Sequence, residues 1–492
     1  MHIAFLNPQG NFDTNDSYWT EHPDFGGQLV YVKEVSAAIA ALGHTVDIIT
    51  RQIIDPDWPE FAAPLDSYPN IEGVRILRIP CGPKHFLPKE ELWPHLGTEF
   101  VSNILEFYAG EGRIPDAFTA HYADGGLSGA LLTQATGRPF TFTGHSLGAQ
   151  KMDKLLASQA NFAKLEQRFR FSRRIMAERV SANHANRIIT STHQEQSEQY
   201  GHQAYQGAIN PQNSERFAVI PPGVNRRIFS PQKGEADAAI AERIATSLAR
   251  DLAGGRQTLP VVLVSSRLDE KKNHIGVVKA FAESERLQEQ SNLGIAVRKL
   301  ENPLREYASL SSEESKIMDE ITAVIEEHNL WGKVTGFPLN SQEELAAAYR
   351  YLSQQRSVFA LTALYEPFGL APLEAMSCGL PAVVTQNGGP SESMVEEEQR
   401  FGVLVNPADP RSIAQGILDA METWDKLREA GIQRVKAKYT WERTGEGYLS
   451  VLQAIQREAA PAREMDIPAY FTSPTAENEI LVEKLEELYF RE

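Results

Sequence analysis

Short apolar runs alternate with amphipathic stretches along nearly the whole chain, and that alternation restricts the fold more than any other feature. Residues 2–6 form an apolar run ended by Asn7-Pro8-Gln9-Gly10. Leu29, Val32, Val35, Ile39 and Leu42 then recur at spacings of three and four up to Gly43, and residues 45–50 are β-branched apart from Asp47. Strand, helix and strand in that order make the unit of a parallel sheet with helical crossovers. Further strands are expected at 74–79, 117–120, 140–143, 187–191 and 217–220. The pattern breaks at Ile220-Pro221-Pro222-Gly223-Val224,. A second set follows at 261–265, 294–297, 334–337, 358–361 and 382–385, between helical stretches such as 274–281 and 342–349. The expectation is an α/β chain of two Rossmann-like, doubly wound domains, 1–222 and 223–469, with a linker near 221–232. Open parallel sheets bind ligands beyond the carboxyl ends of their strands, so two of them are expected to share one cleft and close over its contents. The tail is polar from Pro461 and reads as helix over 477–490. Its stripe of Ile480, Leu481, Leu485 and Leu488 needs cover, so 470–492 is expected to pack back on the first domain,.

Composition excludes several classes of function. The 492 residues exceed one ordinary core, and 42% hydrophobic with 23% charged residues is the profile of a folded, soluble protein,. An excess of 65 acidic over 48 basic residues argues against nucleic acid and acidic membranes, while leaving room for a local basic pocket,. Cys81 and Cys378 are too far apart in sequence to suggest a disulfide framework or a metal motif,. No signal-peptide pattern opens the chain and no apolar run approaches the ~18–20 residues of a membrane span. A cytoplasmic protein is expected.

Four segments carry chemistry. Asp24-Phe25-Gly26-Gly27-Gln28 lies between the first strand and the first helix, where paired glycines admit a ligand to the backbone; a tight turn is the bland alternative,. Gly144-His145-Ser146-Leu147-Gly148 fits the G-x-S-x-G nucleophile elbow,. In that reading Ser146 is the nucleophile, with an Asp and one of His184, His193 or His202 downstream, but no HGGG-type oxyanion loop precedes it and the second half goes unused. Arg267, Lys271 and Lys272 follow a strand, where they would stabilise a diphosphate unless the loop is merely solvated,. Glu366 and Glu374 stand eight apart around Phe368-Gly369, with a helix starting near Leu370 whose free amides would face an anion,.

The last two segments resemble the R-x4-K and E-x7-E marks of the retaining nucleotide-sugar glycosyltransferases of the GT-B fold. Asn7-Pro8-Gln9-Gly10, Gly26-Gly27-Gln28, Leu87-Pro88-Lys89, the string 143–151 and Pro221-Pro222-Gly223-Val224 are similar to one branch, the sucrose-phosphate synthases, from about residue 2 to about residue 455. The resemblance implies transfer of glucose from UDP-glucose to O2 of fructose 6-phosphate with retention, giving sucrose 6-phosphate and UDP. It implies catalytic roles for His145, Arg267, Lys272 and Glu366. Donor contacts would come from Gly27, Arg267, Lys272, Phe368, Gly369, Leu370 and Glu374. Acceptor contacts would come from Gly27, Gln28, Lys89, Tyr122, Lys151, Arg173 and Arg174. Arg170 and Arg174 would share a helix face, with Arg173 beside them. Under this resemblance His145 is a sugar-binding group.

No metal site and no required cofactor are implied, magnesium being at most a stimulant. Asp55-Pro56-Asp57 sits among prolines and reads as a loop. Lys299 follows Arg298 where the resemblance leads one to expect glycine. The residues end without a D-x-D-x-T phosphatase segment, so a separate sucrose-phosphate phosphatase is the expected partner beside the two small substrates, with no nucleic acid or membrane. The alternatives are a related hexosyltransferase using ADP-glucose, GDP-mannose or another acceptor, the serine hydrolase, and a non-catalytic sugar-phosphate-binding protein.

Overall fold

The structure is a computed structural model that describes every residue except 20, 21, 23, 24, 491 and 492. Asp24 of the glycine loop and the last two residues of the tail therefore lie outside the described residues. The chain divides into two compact units, one of residues Met1 to Pro221 with Trp441 onward, the other Pro222–Thr440.

The first unit is built on β1 (His2–Leu6), β2 (Thr45–Arg51), β3 (Leu65–Ser67), β4 (Val74–Ile79), β5 (Ala117–His121), β6 (Phe140–Thr143), β7 (Arg187–Thr190) and β8 (Phe217–Val219). They lie in the order β3-β4-β2-β1-β5-β6-β7-β8, all parallel except the edge strand β3. Ile3 pairs with both Val46 and Ala117, which fixes β1 at the centre. The central strands are buried on both faces, which is why they read as continuous apolar runs,. β3 was not expected: three residues at an edge, with Leu65 55% exposed, carry no hydrophobic period.

The second unit has β9 (Val261–Val264), β10 (Asn292–Ala296), β11 (Val334–Phe337), β12 (Val358–Leu361), β13 (Ala382–Thr385), a hairpin of β14 (Val395–Glu396) and β15 (Gln399–Arg400), and β16 (Val403–Val405). Its six-stranded sheet runs β11-β10-β9-β12-β13-β16 and is parallel throughout. Both sheets are thus doubly wound, each with an apolar core on both faces.

The expected boundary at 470 falls too late. Helix Trp441–Ile455 already belongs to the first unit, where Trp441, Tyr448, Leu452 and Ile455 join the core of Ile3, Phe5 and Val35. It lies close on helix Gly27–Ala41: a methyl group at Gly445 would come within 2.6 Å of the Ala38 Cβ. Tyr448 hydroxyl bonds to the Tyr31 hydroxyl at 3.0 Å and to Thr143 Oγ1 at 2.9 Å. An amphipathic stripe states that a helix needs cover but not which sheet supplies it. The tail does pack on the first unit, through Tyr470, Phe471, Ile480, Leu485 and Tyr489. Leu481, assigned to its stripe, is 67% exposed, because the helix begins only at Val482 and Tyr489 takes the buried position.

Candidate active site

Strand order alone selects a place for ligand in each sheet. In the first, β1 leads outward to β2 on one side while β5 leads to β6 on the other, so the β1/β5 boundary is a topological switch point,. The loops after β1, β5 and β6 open there on a cavity of about 170 Å³. This is small beside the ~300–1,000 Å³ of drug-sized sites, and suits one small polar molecule.

Gln9 follows β1, Gln28 comes from the first helix, Tyr122 follows β5 and Ser146 follows β6; all line the cavity. Three cations join them, Lys89, Lys151 and Arg174. Arg174 is held by the buried Glu178: its Nε donates to Oε1 at 2.9 Å, and a terminal nitrogen donates to the Ser146 carbonyl. Glu178 also accepts from the Gly148 amide at 2.9 Å, so one carboxylate fixes both Arg174 and the start of the helix that carries Lys151. The Lys151 ammonium sits 3.9 Å from the Phe169 ring centroid. Trp93 and Asp124 also line the cavity and, like Glu90, Ala123 and Phe169, were not singled out in the sequence. The burial of Asp124 pushes its carboxyl up to about 6.

Arg173 is elsewhere. Its guanidinium donates to Glu479 of the tail at 3.0 Å and lies 4.6 Å from the Tyr470 ring centroid, so it does not line the cavity. Arg170 does not share a helix with Arg174 as expected: it adopts φ 50° at the break between helices Phe162–Phe169 and Phe171–His184.

The turn after β6 does not have the backbone of a nucleophile elbow. An elbow strains the backbone at the serine, but here the left-handed residue is His145, at φ 54°, and Ser146 is not,. The turn therefore presents the imidazole. His145 Nε2 lies 2.8 Å from His121 Nδ1, and burial pushes the ring down to about 3, so it is neutral at any working pH,. His184 bonds the Met465 carbonyl and His202 lies 3.6 Å from Asp153; neither forms a dyad with Ser146. Gly27 opens the first helix, and a methyl group there would meet nothing within 4 Å.

In the second unit the switch point lies between β9 and β12. The loop after β9 brings Lys272 Nζ to 2.7 Å from Glu366 Oε2, in the loop after β12. Arg267 is exposed and makes no ion pair among the described residues. The Glu366 backbone is clamped to the loop after β13: Glu366 N–H donates to the Asn387 carbonyl at 3.1 Å and Gly389 N–H to the Glu366 carbonyl at 3.0 Å. A methyl group at Gly388 would lie 2.1 Å from the Glu366 carbonyl oxygen, so glycine is required at that crossing. Gly369, at φ 90°, precedes helix Leu370–Ser377 with no side chain capping its first amides,. Phe368 lies in the same turn, its ring 6.1 Å from Tyr439. Glu374 projects from the next turn of this helix, and burial pushes its carboxyl up to about 7. Lys299 stands at φ 64°, its amide donating to Asn340 Oδ1 at 2.8 Å; this is backbone at which glycine is unstrained,. Asp55 accepts from the backbone of Asp57 and Phe86, which makes Asp55-Pro56-Asp57 a loop brace.

Two family models match the chain: glycosyl transferases group 1 over residues 253–438, and a glycosyl transferase 4-like domain over 26–209. A probable sucrose-phosphate synthase of Thermosipho melanesiensis is 43% identical over 453 residues, 92% of this chain and 96% of that one. The sucrose-phosphate synthase of Spinacia oleracea is 31% identical over 92% of this chain and 47% of its own length, so the chain spans about half of that relative. A solved sucrose-phosphate synthase from Thermosynechococcus elongatus is 25% identical, with a TM-score of 0.63 over 92% of this chain and 99% of that one.

Proposed function

Because the chain belongs to the sucrose-phosphate synthase family of GT-B glycosyltransferases, we propose that it transfers glucose from UDP-glucose to O2 of fructose 6-phosphate, with retention. The observation that carries this reading is the gathering of Lys89, Lys151 and Arg174 around one small cavity at the switch point of the first sheet. A sugar phosphate differs from the free sugar by about two negative charges, and three cations are what a pocket needs to tell them apart.

The second unit's residues suit a nucleotide sugar. Cleaving the anomeric bond builds oxocarbenium character on the sugar and negative charge on the departing diphosphate. Arg267, Lys272 and the open amides at Gly369 and Leu370 are the preorganised donors for that charge,. Lys272 is paired with Glu366 at 2.7 Å. A diphosphate competes for Lys272 and releases Glu366 to accept glucose hydroxyls, while Glu374 accepts from the ribose. In this reading the anomeric carbon–oxygen bond to UDP breaks as the bond to O2 forms on the same face. The departing phosphate oxygen takes the acceptor's proton. His145, neutral throughout, orients glucose by hydrogen bonding and does not shuttle a proton,.

Lys151→Ala and Arg174→Ala test the assignment. Each should raise the apparent KM for fructose 6-phosphate by about ten- to a hundredfold, with the KM for UDP-glucose little changed, and narrow the preference over fructose. Full retention of that preference in both variants would place the phosphate elsewhere.

A further inference from the structure

Asn273 does not do what asparagine at a helix start ordinarily does. It immediately precedes helix His274–Glu283, yet its side chain caps none of the helix amides,. Both of its amide hydrogens go to other loops instead. Asn273 Nδ2 donates to the Thr362 carbonyl at 3.0 Å and to the Pro407 carbonyl at 2.9 Å. Thr362 follows β12 and Pro407 follows β16, while Asn273 itself stands beyond β9. β9 and β16 are not neighbours, since β12 and β13 lie between them. One buried side chain thus ties together three loops at the carboxyl end of the second sheet.

The local backbone serves this arrangement. Asn273 adopts φ 55°, a conformation asparagine tolerates better than most residues,. A methyl group at Gly276 would come within 2.5 Å of Asn273 Nδ2, so the glycine leaves the amide its room. On the other side of Lys272, the Lys271 carbonyl accepts from the Leu364 N–H at 2.9 Å. Lys272 is therefore flanked by two ties to the segment that follows β12 and carries Glu366.

We infer that Asn273 is a positioning residue for the transfer, holding Lys272 where its ammonium meets Glu366 and the departing diphosphate. Glu366 is fixed by a separate route, through Asn387 and Gly389, so the effect of Asn273 falls on the lysine. Lys272 is a flexible side chain on a short loop, and where its ammonium can reach is set by where that backbone lies,. A charge contact that is strongest in the transition state loses its worth when it is displaced by about 1 Å. This inference rests on the donor reading of the second unit.

The test is steady-state kinetics of the full chain with UDP-glucose and fructose 6-phosphate. The parent is compared with Asn273→Gly, Asn273→Asp, Lys272→Ala and the double variant Lys272→Ala with Asn273→Gly. Glycine adopts φ 55° freely, so it removes the amide and spares the backbone,. Aspartate keeps the shape but sets acceptor oxygens against two carbonyls. Asn273→Gly should lower kcat about tenfold with the KM for fructose 6-phosphate unchanged, and Asn273→Asp should lower kcat further. A residue that merely fills space gives the opposite order. Added to Lys272→Ala, Asn273→Gly should cost no more than about twofold in kcat/KM for UDP-glucose. If Asn273→Gly matches the parent, if Asn273→Asp outperforms it, or if the double variant loses the full factor again, the inference fails while the donor reading stands. If Lys272→Ala itself matches the parent, the donor reading fails and takes the inference with it. Should Asn273→Asp not fold, Asn273→Gly and the double variant carry the comparison.

Discussion

Glycine at position 27 is not demanded by packing. A methyl group there meets no atom of the protein, and alanine is favoured over glycine in helices by up to about 1 kcal/mol,. Gly27→Ala should therefore fold at least as well as the parent while raising the KM for a substrate that approaches the helix start, on the order of tenfold. Parental kinetics in that variant would count against a ligand at Gly27. Glu374 makes the complementary case. Its carboxyl is raised from the ordinary range near 4.5 to about 7 by burial, so the folded state binds its proton more tightly than the unfolded chain. Stability is then fully present below the unfolded value and falls as pH rises toward 7, a loss of roughly 3 kcal/mol. Glu374→Gln should accordingly melt higher at pH 8 and bind UDP more weakly, and the parent's UDP affinity should fall between pH 8 and 6 as the acceptor carboxylate is protonated. A variant that loses stability at pH 8 without losing UDP affinity would make Glu374 a structural group.

Helix Phe171–His184 carries Arg173 and Arg174 side by side, about 100° apart around its axis,. That rotation sends Arg174 into the cavity and Arg173 to the tail. The Arg173–Glu479 pair is partly exposed, so Arg173→Ala should cost at most about 1 kcal/mol of tail docking, read by hydrogen exchange,. It should leave the KM for fructose 6-phosphate at the parental value, in contrast to Arg174→Ala; a matching rise would return Arg173 to the acceptor site. Spacing in the sequence put both arginines on one helix with Arg170. It could not supply the phase, because the left-handed residue at Arg170 restarts the helix there. The strands were legible for a plain reason: β1, β9 and β13 are apolar runs buried on both faces. β3 and β16 escaped notice as three-residue edge strands. The E-x7-E string was legible because its spacing is local to one loop and helix. Trp93 and Asp124, which also line the cavity, were not, since no linear pattern encodes which residues share its wall.

At the scale of the whole chain, the cations proposed for the acceptor phosphate and the residues proposed for the donor diphosphate belong to separate compact units, each with its own sheet and its own cores. Loss of acceptor affinity in Lys151→Ala should therefore leave UDP binding intact by calorimetry. A parallel loss of both would mean that the two sites are not independent. No described helix is long and apolar enough to cross a membrane. The chain is a glycosyltransferase of the sucrose-phosphate synthase family, and the most direct test of its chemistry is product analysis by NMR. The purified chain is given fructose 6-phosphate with UDP-glucose, ADP-glucose or GDP-mannose in parallel. The account expects UDP-glucose to be consumed fastest, with one UDP released for each sucrose 6-phosphate formed and the glucosyl configuration retained. Preference for another donor, an inverted anomer, or equal turnover of unphosphorylated fructose would contradict it.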